Sequence, residues 1–216
     1  MNKWLLSLSI AAVLTACGTQ VMAGDAAAGK AKSATCTACH SADGNSVNPI
    51  WPKLAGQHAG YLESQLQAFK SGQRKDPTMT AMAAPLSDED MADLAAWYAS
   101  QKQTPGSADP ALADAGGKLY RGGNADSGVS ACQACHTPNG DGNPPAGFPA
   151  ISGQHAAYLE KTLKDYRSGD RGASEKGKMM RGVAAEMTDA EIAAVAQYVQ
   201  GLQEPPSSTA GDGGAP

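Results

Sequence analysis

The chain has 216 residues, 42% hydrophobic but only 5% aromatic, with two phenylalanines in all. That length admits one large domain or two small ones, and so few rings are thin material for two self-sufficient cores of roughly 85 residues each. A net charge of -4 and a pI near 5.5 exclude a nucleic-acid partner, which would call for a surplus of Lys and Arg to displace phosphate counterions.

Residues 1–23 read as an export signal: Lys3 gives the positive start, Trp4 to Leu14 the apolar stretch, and Val21-Met22-Ala23 the small-residue cleavage site. The apolar run falls short of the about 20 residues that span a bilayer. Leu14-Thr15-Ala16-Cys17 also resembles a lipobox, which would put a lipid on Cys17 and tie the chain to the membrane. Residues 24–103 form a first domain. In it Leu62, Gln65, Leu66 and Phe69 share one helical face, Ser71-Gly72 is a stop, Ser87-x-x-Asp90 is a capping box, and Met91, Leu94, Ala95 and Tyr98 share the next face. Residues 104–109 are a linker by composition. The second domain, 110–203, has a helix near Tyr158-Leu159, a stop at Ser168-Gly169, a capping box Thr188-x-x-Glu191 and a face of Ile192, Val195, Ala196 and Val199. Residues 204–216 read as a disordered Pro/Ser/Gly tail. No stretch alternates as a strand, so the fold class is all-α.

The two domains are copies. Cys36-Thr37-Ala38-Cys39-His40 matches Cys132-Gln133-Ala134-Cys135-His136, and Pro52 to His58 matches Pro149 to His155. Between them, Asp43-Gly44-Asn45 is laid over Asp141-Gly142-Asn143. The copies differ in charge: residues 24–107 hold 7 basic and 8 acidic side chains, a net -1, whereas 108–216 hold 9 and 13, a net -4. Such asymmetry can orient a redox partner during encounter.

Two thiols three positions apart on a helical turn can add to the two vinyl groups of one haem, and the following His is then aimed at the iron. Cys36, Cys39, Cys132 and Cys135 are therefore the covalent attachment points of two haem c groups, and His40 and His136 the first axial ligands. A thioredoxin-like dithiol would bring a βαβ pattern, which is missing, and a zinc site would lack a specified fourth ligand. Porphyrin faces would also supply the missing core. For the second axial place the repeat singles out Met79 and Met180, each seven residues before the start of a capping segment, with Met82 and Met179 as reserves. Pro52 and Pro149 either offer a carbonyl to the axial His or are simple loop prolines. His58 and His155 are read as residues of a helix start, with propionate contact or surplus ligation as the other roles open to them.

These motifs, with Trp51 to Gln57, Phe148 to Gln154, Pro85-Leu86-Ser87-Asp88 and Met180 to Ala185, resemble the dihaem cytochrome c4 family. The resemblance covers about residues 24–203. It implies two tandem cytochrome c folds with their haems close at the interface, Met79 and Met180 as axial ligands, and a periplasmic, non-enzymatic carrier of single electrons. It further implies redox protein partners, a quinol-cytochrome c reductase-like donor and a haem-copper oxidase-like acceptor. The alternatives are a dihaem peroxidase-type enzyme, which needs an open iron position, and a haem subunit of a dehydrogenase or oxidase complex.

Overall fold

The computed structural model describes residues 24–202; the expected signal with Cys17 and the expected tail lie outside the described residues. Each half repeats one sequence of helices. In the first, α1 (Ala26–Lys32) starts where the Asp25 carboxylate accepts from Ala27 and Ala28 N–H, passes through a 3-10 turn (Ser33–Thr35), and leads to the one-turn α2 (Thr37–His40). There follow α3 (Ala59–Lys70), α4 (Pro77–Ala83) and α5 (Asp88–Ala99). The second half has α6 (Pro110–Gly122), the one-turn α7 (Gln133–His136), α8 (Ala156–Ser168), α9 (Glu175–Ala185) and α10 (Asp189–Gly201). Among the described residues the only extended pairing is two isolated bridges, Asn124 with Val129 and Asn143 with Phe148.

Both capping boxes form, the Ser87 and Thr188 hydroxyls meeting the N–H groups of Asp90 and Glu191, which return the favour to the cap backbone. The stops act as read: Gly169 takes positive φ directly after α8, and Gly72 does so one residue beyond Ser71, the C-cap of α3. Met91, Leu94, Ala95 and Tyr98 are all buried, as are Ile192, Val195, Ala196 and Val199. Terminal helices cross closely in each half because a glycine sits at the crossing. A Cβ on Gly29 of α1 would lie 2.0 Å from Asp93 O of α5, and one on Gly116 of α6 would lie 2.0 Å from Ala194 O of α10. Side-chain packing of their own is limited. The second half gathers Leu119, Tyr120, Val129, Met187, Ile192, Val195 and Val199 in one cluster, whereas the first has a smaller cluster of Leu62, Ala95 and Tyr98, with Phe69, Met91 and Leu94 also buried.

The halves face each other across a pseudo-twofold axis, and the contacts come in reciprocal pairs. Gln57 Nε2 donates to Ala150 O at 2.7 Å and its Oε1 accepts from Ala150 N–H at 3.1 Å. Gln154 makes the same two bonds to Lys53, both 2.9 Å. Arg74 donates to Tyr158 Oη at 2.9 Å, and its counterpart Arg171 to Tyr61 Oη at 2.7 Å. The connecting segment is tied down at both ends: the Lys53 ammonium donates to Thr104 O and Gly153 O, while Gln200 Nε2 donates to Ser107 O.

One alignment within the repeat is corrected by the backbone. Gly44 O accepts from Leu54 and Ala55 N–H, and the group doing the same for Ile151 and Ser152 is Gly140 O. Asp43-Gly44 therefore corresponds to Asn139-Gly140, not to Asp141-Gly142. The second half carries its one extra residue after this turn, and the shared Asp-Gly-Asn letters coincide two positions out of register.

Candidate haem centres

Each Cys-x-x-Cys-His segment is a single helical turn. His40 N–H donates to Cys36 O at 3.0 Å and His136 N–H to Cys132 O at 2.9 Å, so the two cysteines of each motif, three apart, share a face. The turn ends abruptly. Ser41 (φ 64°) and Thr137 (φ 67°) are the only non-glycine residues with positive φ among those described, and each directly follows the motif histidine. Such a conformation is costly for residues with a Cβ and marks a place where the surrounding structure dictates the backbone.

Both histidines are buried, and each sends Nδ1 to a proline carbonyl, His40 to Pro52 O at 2.9 Å and His136 to Pro149 O at 3.0 Å. A carbonyl can only accept, so Nδ1 carries the proton and Nε2 presents a bare lone pair. The two prolines thus act through their carbonyls. Burial holds both imidazoles below their ordinary pKa of 6.5, opposed in part by those carbonyl bonds. Burial also raises the Cys36 thiol and pushes Cys132 up to about 11, the reverse of what a dithiol redox catalyst requires. All four motif thiols are unpaired.

One continuous cavity of about 1120 Å³ runs between the halves. It exceeds the ~300–1,000 Å³ of a single small-ligand site, which suits a pair of large groups. Its lining includes every residue singled out for the haems: Cys36, Cys39, His40 and Met79 from one half, Cys132, Cys135, His136 and Met180 from the other. Asp76 caps α4 by accepting from Met79 N–H, which fixes the backbone at that methionine. Ala83 and Ala184, whose carbonyls accept from Leu86 and Met187 N–H, anchor α4 and α9 in one register that makes Met79 and Met180 equivalent. Met79 and Met180 are half-buried, whereas the reserves Met82 and Met179 are 46% and 54% exposed.

His58 and His155 stand at the N-caps of α3 and α8, but their rings cap nothing there. They cross to the other half instead, His58 Nε2 to Asp141 O at 2.7 Å and His155 Nε2 to Ser46 O at 2.8 Å. The helix-start reading holds for their backbones and is corrected for their side chains. The matched Gly-Gln-His segments were visible in the sequence; their cross-pairing depends on how the halves dock and has no local signal.

Two one-turn helices, each holding paired thiols and an imidazole with a free Nε2 against a shared apolar cavity, define a c-type haem protein with two centres. Comparison with known proteins agrees. The cytochrome c family profile matches residues 26–102 and again 113–203. Cytochrome c4 of Stutzerimonas stutzeri is 50% identical over 211 residues, covering 94% of this chain and all of that protein. The crystal structure of reduced recombinant cytochrome c4 from Pseudomonas stutzeri superposes with a TM-score of 0.81 at 52% identity, over 84% of this chain and all of that one. Cytochrome c-554(548) of Halomonas halodenitrificans, 57% identical over 83 residues, matches 37% of this chain and its own full length. The chain belongs to the cytochrome c4 family: it is a dihaem c-type cytochrome and an electron carrier, with two covalently bound haem c groups in two tandem all-α cytochrome c domains.

Proposed function

We propose that residues 24–103 and 110–203 are the two haem-binding units, joined by 104–109, with Cys36 and Cys39 holding one haem and Cys132 and Cys135 the other. His40 and Met79, and His136 and Met180, are the axial iron ligands. The observation that carries this reading is the pair of Nδ1–H bonds to Pro52 O and Pro149 O, which leave Nε2 free in both halves within a cavity that both methionines line. When bound, each haem supplies a one-electron Fe(III)/Fe(II) couple. The protein's part is to hold each imidazole in one tautomer and orientation, to exclude water from the space between the halves, and to keep that space nearly unchanged between oxidation states. A thioether from each half fills the place that a peroxidase would leave open, which supports a carrier over the peroxidase alternative.

The chain works in the periplasm, exported by its leader, and takes electrons from a quinol-cytochrome c reductase-like donor for a haem-copper oxidase-like acceptor. The export segment at residues 1–23 supports the location, and no helix among the described residues is long and apolar enough to cross a membrane. Met79→Ala and Met180→Ala test the ligation. Each is expected to abolish half of the thioether-to-iron charge-transfer absorbance and to lower one of the two reduction potentials. An unchanged band in Met79→Ala moves the assignment to Met82.

A further inference from the structure

We infer that Gln57 and Gln154 are positioning residues that act crosswise, each on the axial histidine of the opposite half, through the peptide unit that follows Pro149 or Pro52. In the first half that peptide joins Pro52 to Lys53. Its carbonyl accepts from His40 Nδ1–H at 2.9 Å, and its N–H donates to Gln154 Oε1 at 2.9 Å. In the second half the peptide joins Pro149 to Ala150. Its carbonyl accepts from His136 Nδ1–H at 3.0 Å, and its N–H donates to Gln57 Oε1 at 3.1 Å. Each chain of bonds runs from a glutamine of one half, through one amide, to the imidazole of the other.

An amide is a resonant unit, so an acceptor at its N–H draws charge onto its oxygen and makes that oxygen a stronger acceptor in turn. The stronger acceptor pulls on the Nδ1 proton and makes Nε2 a more basic ligand. A more basic ligand favours ferric iron. Both glutamines are placed to exert this effect without competition from water, with Gln57 9% and Gln154 6% exposed. Neither amide can flip. Nε2 of Gln57 is held by Ala150 O at 2.7 Å and Nε2 of Gln154 by Lys53 O at 2.9 Å, so a flip would set NH₂ against N–H. Each Oε1 also accepts the N–H of the following residue, His58 or His155, which fixes it against its own helix start. The chemistry of each iron therefore depends on a residue contributed by the other half.

The inference rests on His40 and His136 being the axial ligands, and the experiment separates the two claims. Gln154→Met and Gln57→Met keep the length of the side chain and remove all three hydrogen bonds of each amide. In reduced, ¹⁵N-labelled holoprotein, Gln154→Met is expected to shift the Nδ1–H resonance of His40 and leave that of His136 in place; Gln57→Met gives the mirror result. Potentiometric titration then shows one haem's couple rising by about threefold in equilibrium constant, roughly 30 mV for one electron, a different haem in each variant. A shift confined to the histidine of the mutated half, or no shift in either, overturns the crosswise role. The ligation is reported separately: in unmodified reduced holoprotein the ring protons of His40 and His136 are expected far upfield in the porphyrin ring current, and their absence there would sink that reading alone. The substitutions lie on opposite halves, so either variant decides the matter if the other does not fold.

Discussion

The two halves hold the same haem scaffold together by different means. In the second, α6 and α10 meet through apolar side chains, and Tyr120 from the first helix of the unit reaches in to donate to Thr137 O at 2.6 Å. In the first half the tyrosine comes from the last helix, Tyr98, packed beside Cys36. The reciprocal places are Ser33, four residues after the crossing glycine as Tyr120 is, and Val199. Where the second half has Ala194 at the crossing, the first has Asp93, 4% exposed, which accepts from Asp25 N–H at 2.7 Å and from Lys32 Nζ at 2.8 Å. One unit is closed by hydrocarbon and the other by a charge held in hydrogen bonds. What the fold requires of these positions is closure around a prosthetic group, not one set of contacts.

This contrast can be broken in graded steps. Cys36→Ala and Cys132→Ala should each leave one covalent haem per chain by mass spectrometry. With the smaller cluster of the two, the first half is expected to become protease-sensitive in Cys36→Ala, while the second keeps more of its protection in Cys132→Ala. Next in size are Gly29→Ala and Gly116→Ala. The added methyl overlaps a backbone carbonyl, and each should cost about 3 kcal/mol in denaturant unfolding, with the thinner first half lost at the lower midpoint. Asp93→Asn sharpens the comparison through pH. Hydrogen bonds from Lys32 and from Asp25 N–H hold the Asp93 carboxyl below its usual range. Its stabilising contribution is therefore full above the unfolded pKa of about 3.9 and is lost as pH falls through the lower folded value. The variant should melt below the parent at pH 7 and converge with it as pH falls below the lowered folded value. The smallest effect is Tyr120→Phe, about 1 kcal/mol for one buried hydrogen bond, confined to the second half's transition in a thermal melt.

Much of this was legible in the sequence, because the signals are local. Cys-x-x-Cys-His needs one helical turn, the capping boxes need three residues, and the helical faces need a 3.6 period, so all appear where read. Repetition added reach, placing Met79 and Met180 in equivalent registers that composition alone would not separate from Met82 and Met179. The misaligned Asp-Gly-Asn shows the limit of letter matching: the backbone aligns on Gly44 and Gly140, whose carbonyls do the same work, and identical letters nearby were coincidental. The cross-half contacts of the Gln57, Gln154, His58 and His155 side chains could not be read at all. Each is defined by a partner about 80 to 110 positions away in the chain, brought near only by docking.

The pinned segment between the halves sets how the molecule meets others. With Lys53 gripping Thr104 O and Gly153 O and Gln200 gripping Ser107 O, residues 104–109 act as a splint. The protein is a caliper with its jaws locked at one opening, not two beads on a string, and a protein that touches both ends at once has to match that opening.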